Sequence, residues 1–132
     1  MKIIVDPSVW SLFLRRKHGP DSQALEILRS AIKEKNVQML GIVRQELLSG
    51  IQAEPQFRKL EKILESFPDL LAGSADHTQA AKFSNTCRRK GVQGSPIDFL
   101  ICAQAYRNGM AILTDDSDFR SYGKHIPIKL ID

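Results

Sequence analysis

Cysteine is scarce: Cys87 and Cys102 are the only two in 132 residues. So few, without metal-motif spacing, exclude a disulfide scaffold. They read as reduced thiols, which predicts a cytoplasmic protein. Long apolar runs are missing too. Ile3-Ile4-Val5 is cut short by Asp6 and Pro7, so it does not read as a signal peptide. Nothing approaches the roughly 20 apolar residues a membrane span requires, and no membrane association is expected. A glycine-rich phosphate loop is also lacking. Gly91-Val92-Gln93-Gly94 has neither the P-loop lysine nor the Rossmann spacing. His18, His77 and His125 fall in polar contexts, and no Ser-His-Asp set suggests itself. Repeats, low-complexity stretches and interdomain linkers are absent, so residues 1–132 read as a single domain.

What remains is ordinary globular material. A hydrophobic fraction of 42% and a charged fraction of 26% are enough for a buried core. The net charge of +4 suits an anionic partner, nucleic acid included. Arg15, Arg16 and Lys17 form one basic run, and Arg88, Arg89 and Lys90 another. Either can lie along a phosphate backbone, or serve only as solvated surface.

Apolar and polar residues alternate between strand-like and helix-like stretches. Ile3 to Val5, Val37 to Gly41 and Met110 to Thr114 read as strands, with a short one at Asp69 to Ala72 and a last one at Ile126 to Ile131. Helices are expected after Asp6-Pro7, after Asp21-Ser22, from Val43 to Ile51, and along Phe57, Leu60, Ile63, Leu64 and Phe67. Another is expected from a cap at Asp76 to Lys90, and one more after Ser95-Pro96-Ile97-Asp98, a capping-box sequence. Asp115 to Phe119 reads as an acidic turn. Strands alternating with helices predict an α/β domain, an α/β/α sandwich around a mainly parallel sheet.

The chemistry lies in the carboxylates. Asp6 and Asp116 each follow a predicted strand, at the carboxyl edge where open parallel sheets place ligands. Glu46 and Asp98 lie near starts of helices that can return to that edge. Each has a plainer role available. Asp6 can be an N-cap, Asp98 a capping-box acid, Glu46 a solvated glutamate, and Asp115, Asp116 and Asp118 an Asx-type turn leading into another helix. The turn fails as an EF-hand loop, because Arg120 occupies a ligand position. Together, carboxylates converging at one edge repel one another unless a cation lies between them. Oxygen-only ligands favour Mg²⁺ or Mn²⁺ over zinc.

Four segments carry a family resemblance. Val5-Asp6-Pro7-Ser8-Val9-Trp10, Glu46-Leu47-Leu48-Ser49-Gly50, Asp98-Phe99-Leu100-Ile101-Cys102-Ala103 and Leu113-Thr114-Asp115-Asp116-Ser117-Asp118-Phe119 are similar to the signature segments of the PIN domain. They occur in the family's order and span nearly the whole chain. The short form most resembles the VapC toxins of toxin–antitoxin pairs. The resemblance implies a Mg²⁺- or Mn²⁺-dependent endoribonuclease acting on RNA. It also implies a homodimer, and inhibition by a VapB-like antitoxin. It maps the catalytic acids to Asp6, Glu46, Asp98 and Asp116. Asp6, Asp98, Asp116 and Asp118 become the metal ligands. Ser8 matches a small polar residue that supports the metal's water shell, and Pro7 departs from the usual Thr or Ser.

Two other classes compete. One is a catalytically silent PIN-like module that binds RNA or protein, which retention of every acid argues against. The other is a receiver-like regulatory domain, which would want adjacent acids after the first strand. Trp10, Leu12, Phe13 and Phe57 are expected to supply surface for a partner as well as core.

Overall fold

A computed structural model describes residues 1–15 and 22–131. Within them the chain runs β1 (Ile3–Val5), α1 (Pro7–Leu14), α2 (Gln23–Lys33), β2 (Val37–Leu40), α3 (Gly41–Leu48), α4 (Glu54–Leu64), β3 (Asp69–Leu70), α5 (Ser74–Arg89), α6 (Pro96–Arg107), β4 (Ala111–Leu113) and α7 (Ser117–Gly123). The sheet order is β3-β2-β1-β4, and every pairing is parallel. This is the predicted α/β/α architecture. β1 is central, with Ile3 opposite both Val37 and Ala111. The β-branched run Ile3-Ile4-Val5 therefore pairs on both sides, and Ile4 and Val5 are buried in the core with Leu40, Ile112 and Leu113.

The helix boundaries follow local chemistry. Asp6, Ser22, Ser95 and Asp116 cap α1, α2, α6 and α7 with side-chain oxygens. Pro7 and Pro96 occupy first-turn positions, where a missing N–H costs nothing. Gly109 closes α6 at φ 65°, a conformation glycine adopts freely. α6 is buried along Phe99, Ile101, Cys102, Ala103, Gln104 and Ala105, as befits a helix packed on several sides. The Gln104 amide is satisfied by donating to the Leu70 carbonyl.

Several sequence expectations need correction. Ile126 to Ile131 is no strand. Only Leu130 bridges Ile112, because Pro127 has no N–H and the Ile128 amide turns back to the Ile126 carbonyl. Gly73, not Asp76, caps α5. Asp76 sits a turn inside, accepts from the Gly73 amide at 2.8 Å and pairs with Arg107 at 2.8 Å. Those partners, the Gly73 amide first, hold its carboxyl below the usual range. α4 stops at Leu64, and Phe67 lies beyond it. The acidic turn at Asp115 to Phe119 opens α7, the helix to which an Asx-type turn there is expected to lead. Trp10 is 1% exposed and belongs to the core, so it offers nothing to a partner. Phe13 and Leu12 are half-buried, as is Phe57. Of the three histidines, His77 is exposed and His125 half-buried, and His18 lies outside the described residues. Both cysteines are free and buried, and burial pushes both thiols up.

Arg44 on α3 locks the carboxyl end of α4 to β3. Its guanidinium donates to the Leu64 and Phe67 carbonyls and to both oxygens of Asp69. A planar fork is needed to reach so many acceptors. Arg44→Lys is expected to cost about 1–3 kcal/mol, since orphaned carbonyls lose their donors. Urea denaturation will read this, and a loss below about 0.5 kcal/mol would contradict it.

Candidate metal centre

The carboxyl edge of the sheet gathers the acids. Asp6 follows β1, and its amide donates to the Leu113 carbonyl at 2.9 Å, tying the ends of β1 and β4 together. Its Oδ2 accepts from the Ser8 amide at 3.1 Å, from the Ser8 hydroxyl, and from Thr114 Oγ1 at 3.1 Å. Ser8 Oγ in turn accepts from the Asp115 amide at 3.0 Å, and Thr114 Oγ1 from the Asp116 amide at 3.0 Å. Two hydroxyls thus clasp the start of α1 to the loop before α7. Asp116 caps α7 through Oδ1, which accepts from the Asp118 amide at 2.9 Å. Asp98 enters from the first turn of α6, where its amide donates to Ser95 Oγ. Its carboxylate does not complete a capping box. Oδ2 accepts instead from the Tyr122 hydroxyl at 2.7 Å.

One oxygen from each of Asp98, Asp116 and Asp118 lies within 4.8 Å of the others. Asp6 is electrostatically coupled to Asp98 and Asp116. Burial raises the proton affinity of Asp6 above the usual carboxylate value, over the opposing hydrogen bonds, and the Asp116 charge adds to it. Burial does the same for Asp98, with the charges of Asp6 and Asp116 adding. Burial, and then the carboxylate it donates to, push the Tyr122 phenol far up, so it stays protonated and able to donate. Crowded, partly desolvated acids of this kind attract a cation. An all-oxygen donor set at this spacing fits Mg²⁺ or Mn²⁺.

Glu46 is not drawn into this group. It stands exposed on α3, and neither it nor Asp6 is among the carboxylates gathered within 4.8 Å. Ser8, expected to support the metal's water shell, is engaged with Asp6 and the Asp115 amide. Thr114 and Tyr122 carry weight that the sequence reading did not assign them. Thr114 had a signal, a hydroxyl at the end of a strand facing Asp6. Tyr122 had one in its spacing, three residues after Phe119 on a helix capped by Asp116. Beside the acids, Thr114, Asp115, Asp116, Ser117 and Arg120 line a hollow of about 270 Å³. Arg15, Arg88, Arg89 and Lys90 are exposed, whereas Arg16 and Lys17 lie outside the described residues.

The sequence model of the PIN domain matches residues 3–125. No curated protein matches the chain. Several solved structures share its fold at low identity. The Salmonella typhimurium VapBC bound to DNA matches with a TM-score of 0.77 and 16% identity, covering 100% of this chain and 98% of that one. FitAcB from Neisseria gonorrhoeae gives 0.76 and 17%, covering 98% and 96%. VapBC2 from Rickettsia felis, bound to a DNA fragment from its promoter, gives 0.76 and 15%, covering 99% and 98%.

Proposed function

Since the chain belongs to the PIN domain family, we propose that it is a Mg²⁺- or Mn²⁺-dependent endoribonuclease, the toxin of a VapBC-like pair. The observation that carries the proposal is the convergence of Asp98, Asp116 and Asp118 within 4.8 Å, with the charges of Asp98, Asp116 and buried Asp6 acting on one another. Those four would hold the ion. Once bound, it supplies a Lewis acid that lowers the pKa of water and offsets charge on the scissile phosphate. The protein does the rest. Ser8 and Thr114 hold Asp6 in place, and Tyr122 holds Asp98. One of these carboxylates would accept a proton from the attacking water. Glu46, exposed on α3, would act as a group that meets substrate. Arg120, beside the acids, and the exposed Arg88, Arg89 and Lys90 would pair with RNA phosphates. The products carry 5′-phosphate and 3′-hydroxyl ends.

A VapB-like antitoxin is the proposed protein partner, in line with the VapBC assemblies whose fold this chain shares. A homodimer is proposed with it. An apolar groove of about 430 Å³ lined by Ile42, Ala80, Ala81, Ile97 and Leu100 supports protein contact. Among the described residues, no helix is long and apolar enough to cross a membrane.

The test is RNA cleavage by the purified chain with and without divalent ions. Cleavage is expected with Mg²⁺ or Mn²⁺ and should vanish in excess EDTA. Cleavage undiminished in EDTA overturns the proposal, and so does RNA left uncut with either ion.

A further inference from the structure

Resting on the reading that the acidic group holds a divalent ion, we infer that Tyr122 is a positioning residue for it. It fixes the Asp98 carboxylate in one orientation, and Gly94 is the notch that admits its phenol. Tyr122 is 1% exposed. Its ring lies 4.9 Å from that of Phe99 and 5.4 Å from that of Phe119. Its hydroxyl donates to Asp98 Oδ2 at 2.7 Å. A Cβ at position 94 would lie 2.5 Å from that hydroxyl oxygen and 2.7 Å from the ring carbon bearing it. The phenol tip therefore occupies the space that any side chain at 94 would need. Two aromatic neighbours keep the ring from swinging aside without repacking. Position 94 and the Asp98 carboxylate are thus linked through one buried side chain.

The chemical consequence is ligand geometry. A carboxylate turns readily about its Cβ–Cγ bond and can offer one oxygen or two. A donor held on one oxygen stops that rotation. Mg²⁺ and Mn²⁺ prefer octahedral sites with one oxygen per carboxylate, whereas Ca²⁺ accepts bidentate carboxylates and irregular shells. Tyr122 therefore favours the smaller ions. Loss of an outer hydrogen bond to a metal ligand typically weakens binding about 10–100-fold.

The experiment is calorimetric titration of the full chain with Mn²⁺ and, separately, Ca²⁺, for wild type, Tyr122→Phe and Gly94→Ala. Metal-free melting curves identify which variants are folded. Tyr122→Phe is expected to bind Mn²⁺ about tenfold more weakly, with Ca²⁺ affinity unchanged or higher. Gly94→Ala keeps the hydroxyl but displaces it, so its Mn²⁺/Ca²⁺ preference should fall in the same direction. It also serves if Tyr122→Phe does not fold. The double variant should lose no more than Tyr122→Phe alone, because both act through one hydrogen bond. A merely structural role would loosen both ions equally. An unchanged ion preference in the folded variants overturns the inference while the metal reading stands. If wild type binds neither ion, the metal reading fails and takes this one with it.

Discussion

Asp98→Asn is expected to reduce divalent-ion-dependent RNA cleavage at least about a hundredfold, since loss of a ligand costs more than loss of its outer hydrogen bonds. The same substitution should leave the metal-free protein at least as stable as wild type at neutral pH. Burial, aided by the Asp6 and Asp116 charges, raises the folded-state pKa of Asp98 above its ordinary 3.8. Between that ordinary value and the raised one, the native state binds more protons than the unfolded state. Stability is then fully present below pH 3.8 and falls as pH rises through the raised pKa. Asparagine cannot ionise, so the variant escapes this loss. Its amide oxygen can still accept from Tyr122. Melting curves in EDTA at pH 4 and pH 7.5 should show the gap between variant and wild type widening in the variant's favour at the higher pH. Added Mg²⁺ should stabilise wild type much more than the variant, because only a ligand that binds the folded state raises its melting temperature. Asp6→Asn should be equally inactive. It is a poorer probe of stability, because Ser8 N, Ser8 Oγ and Thr114 Oγ1 all converge on one Asp6 oxygen. If folded Asp98→Asn cleaves at the wild-type rate, the carboxylate serves Tyr122 alone and the metal reading loses a ligand.

Much of the fold could be read in the sequence because its signals are local. The run Ile3-Ile4-Val5, the Asp-Pro and Ser-Pro helix starts, and the helical spacing of Leu25, Leu28 and Ile32 depend on neighbours within a turn or two. Where partners are distant, the reading fails. Ile126, Ile128 and Leu130 alternate like a strand, yet Pro127 cannot donate, and a single bridge at Leu130, made by the Lys129 carbonyl and the Ile131 amide, reaches β4. Asp115 to Phe119 showed as an acidic turn that could lead into a helix, but α7 is only seven residues long, too short to show a period. The rule that parallel sheets place ligands at their carboxyl edge pointed to Asp6, Glu46, Asp98 and Asp116, whereas the carboxylates found together are Asp98, Asp116 and Asp118. Glu46, inferred by the same rule, stands outside that group. The supports of the acids had only weak local signals, and nothing showed which acid each one meets. Thr114 lies 108 residues from Asp6, the Asp115 amide 107 from Ser8, and Tyr122 24 from Asp98. No spacing rule links such pairs. Only the parallel pairing of β1 with β4 and the packing of α7 on α6 bring them together.

Trp10→Ala is expected to destabilise the protein by about 3–5 kcal/mol, the usual cost of truncating a buried Trp. That is a large part of the roughly 5–15 kcal/mol that holds most domains together. Trp10 is 1% exposed. Its ring meets Phe67 edge-on at 5.2 Å and Phe13 at 6.1 Å. Phe67 lies just past α4, and its carbonyl is held by Arg44. Removing the indole therefore leaves a cavity where α1 meets the end of α4, and the Arg44 clamp keeps that end from collapsing to fill it. Trp10 follows Asp6 by one helical turn, and the Trp10 amide donates to the Asp6 carbonyl at 3.3 Å. Loosening α1 should thus weaken divalent-ion binding as well as stability, though far less than Asp98→Asn does. Urea denaturation at two protein concentrations separates this from the alternative. As core, Trp10 gives the same loss at both concentrations. As partner surface, its removal would shift only the concentration-dependent part of stability, leaving the concentration-independent part within about 0.5 kcal/mol of wild type.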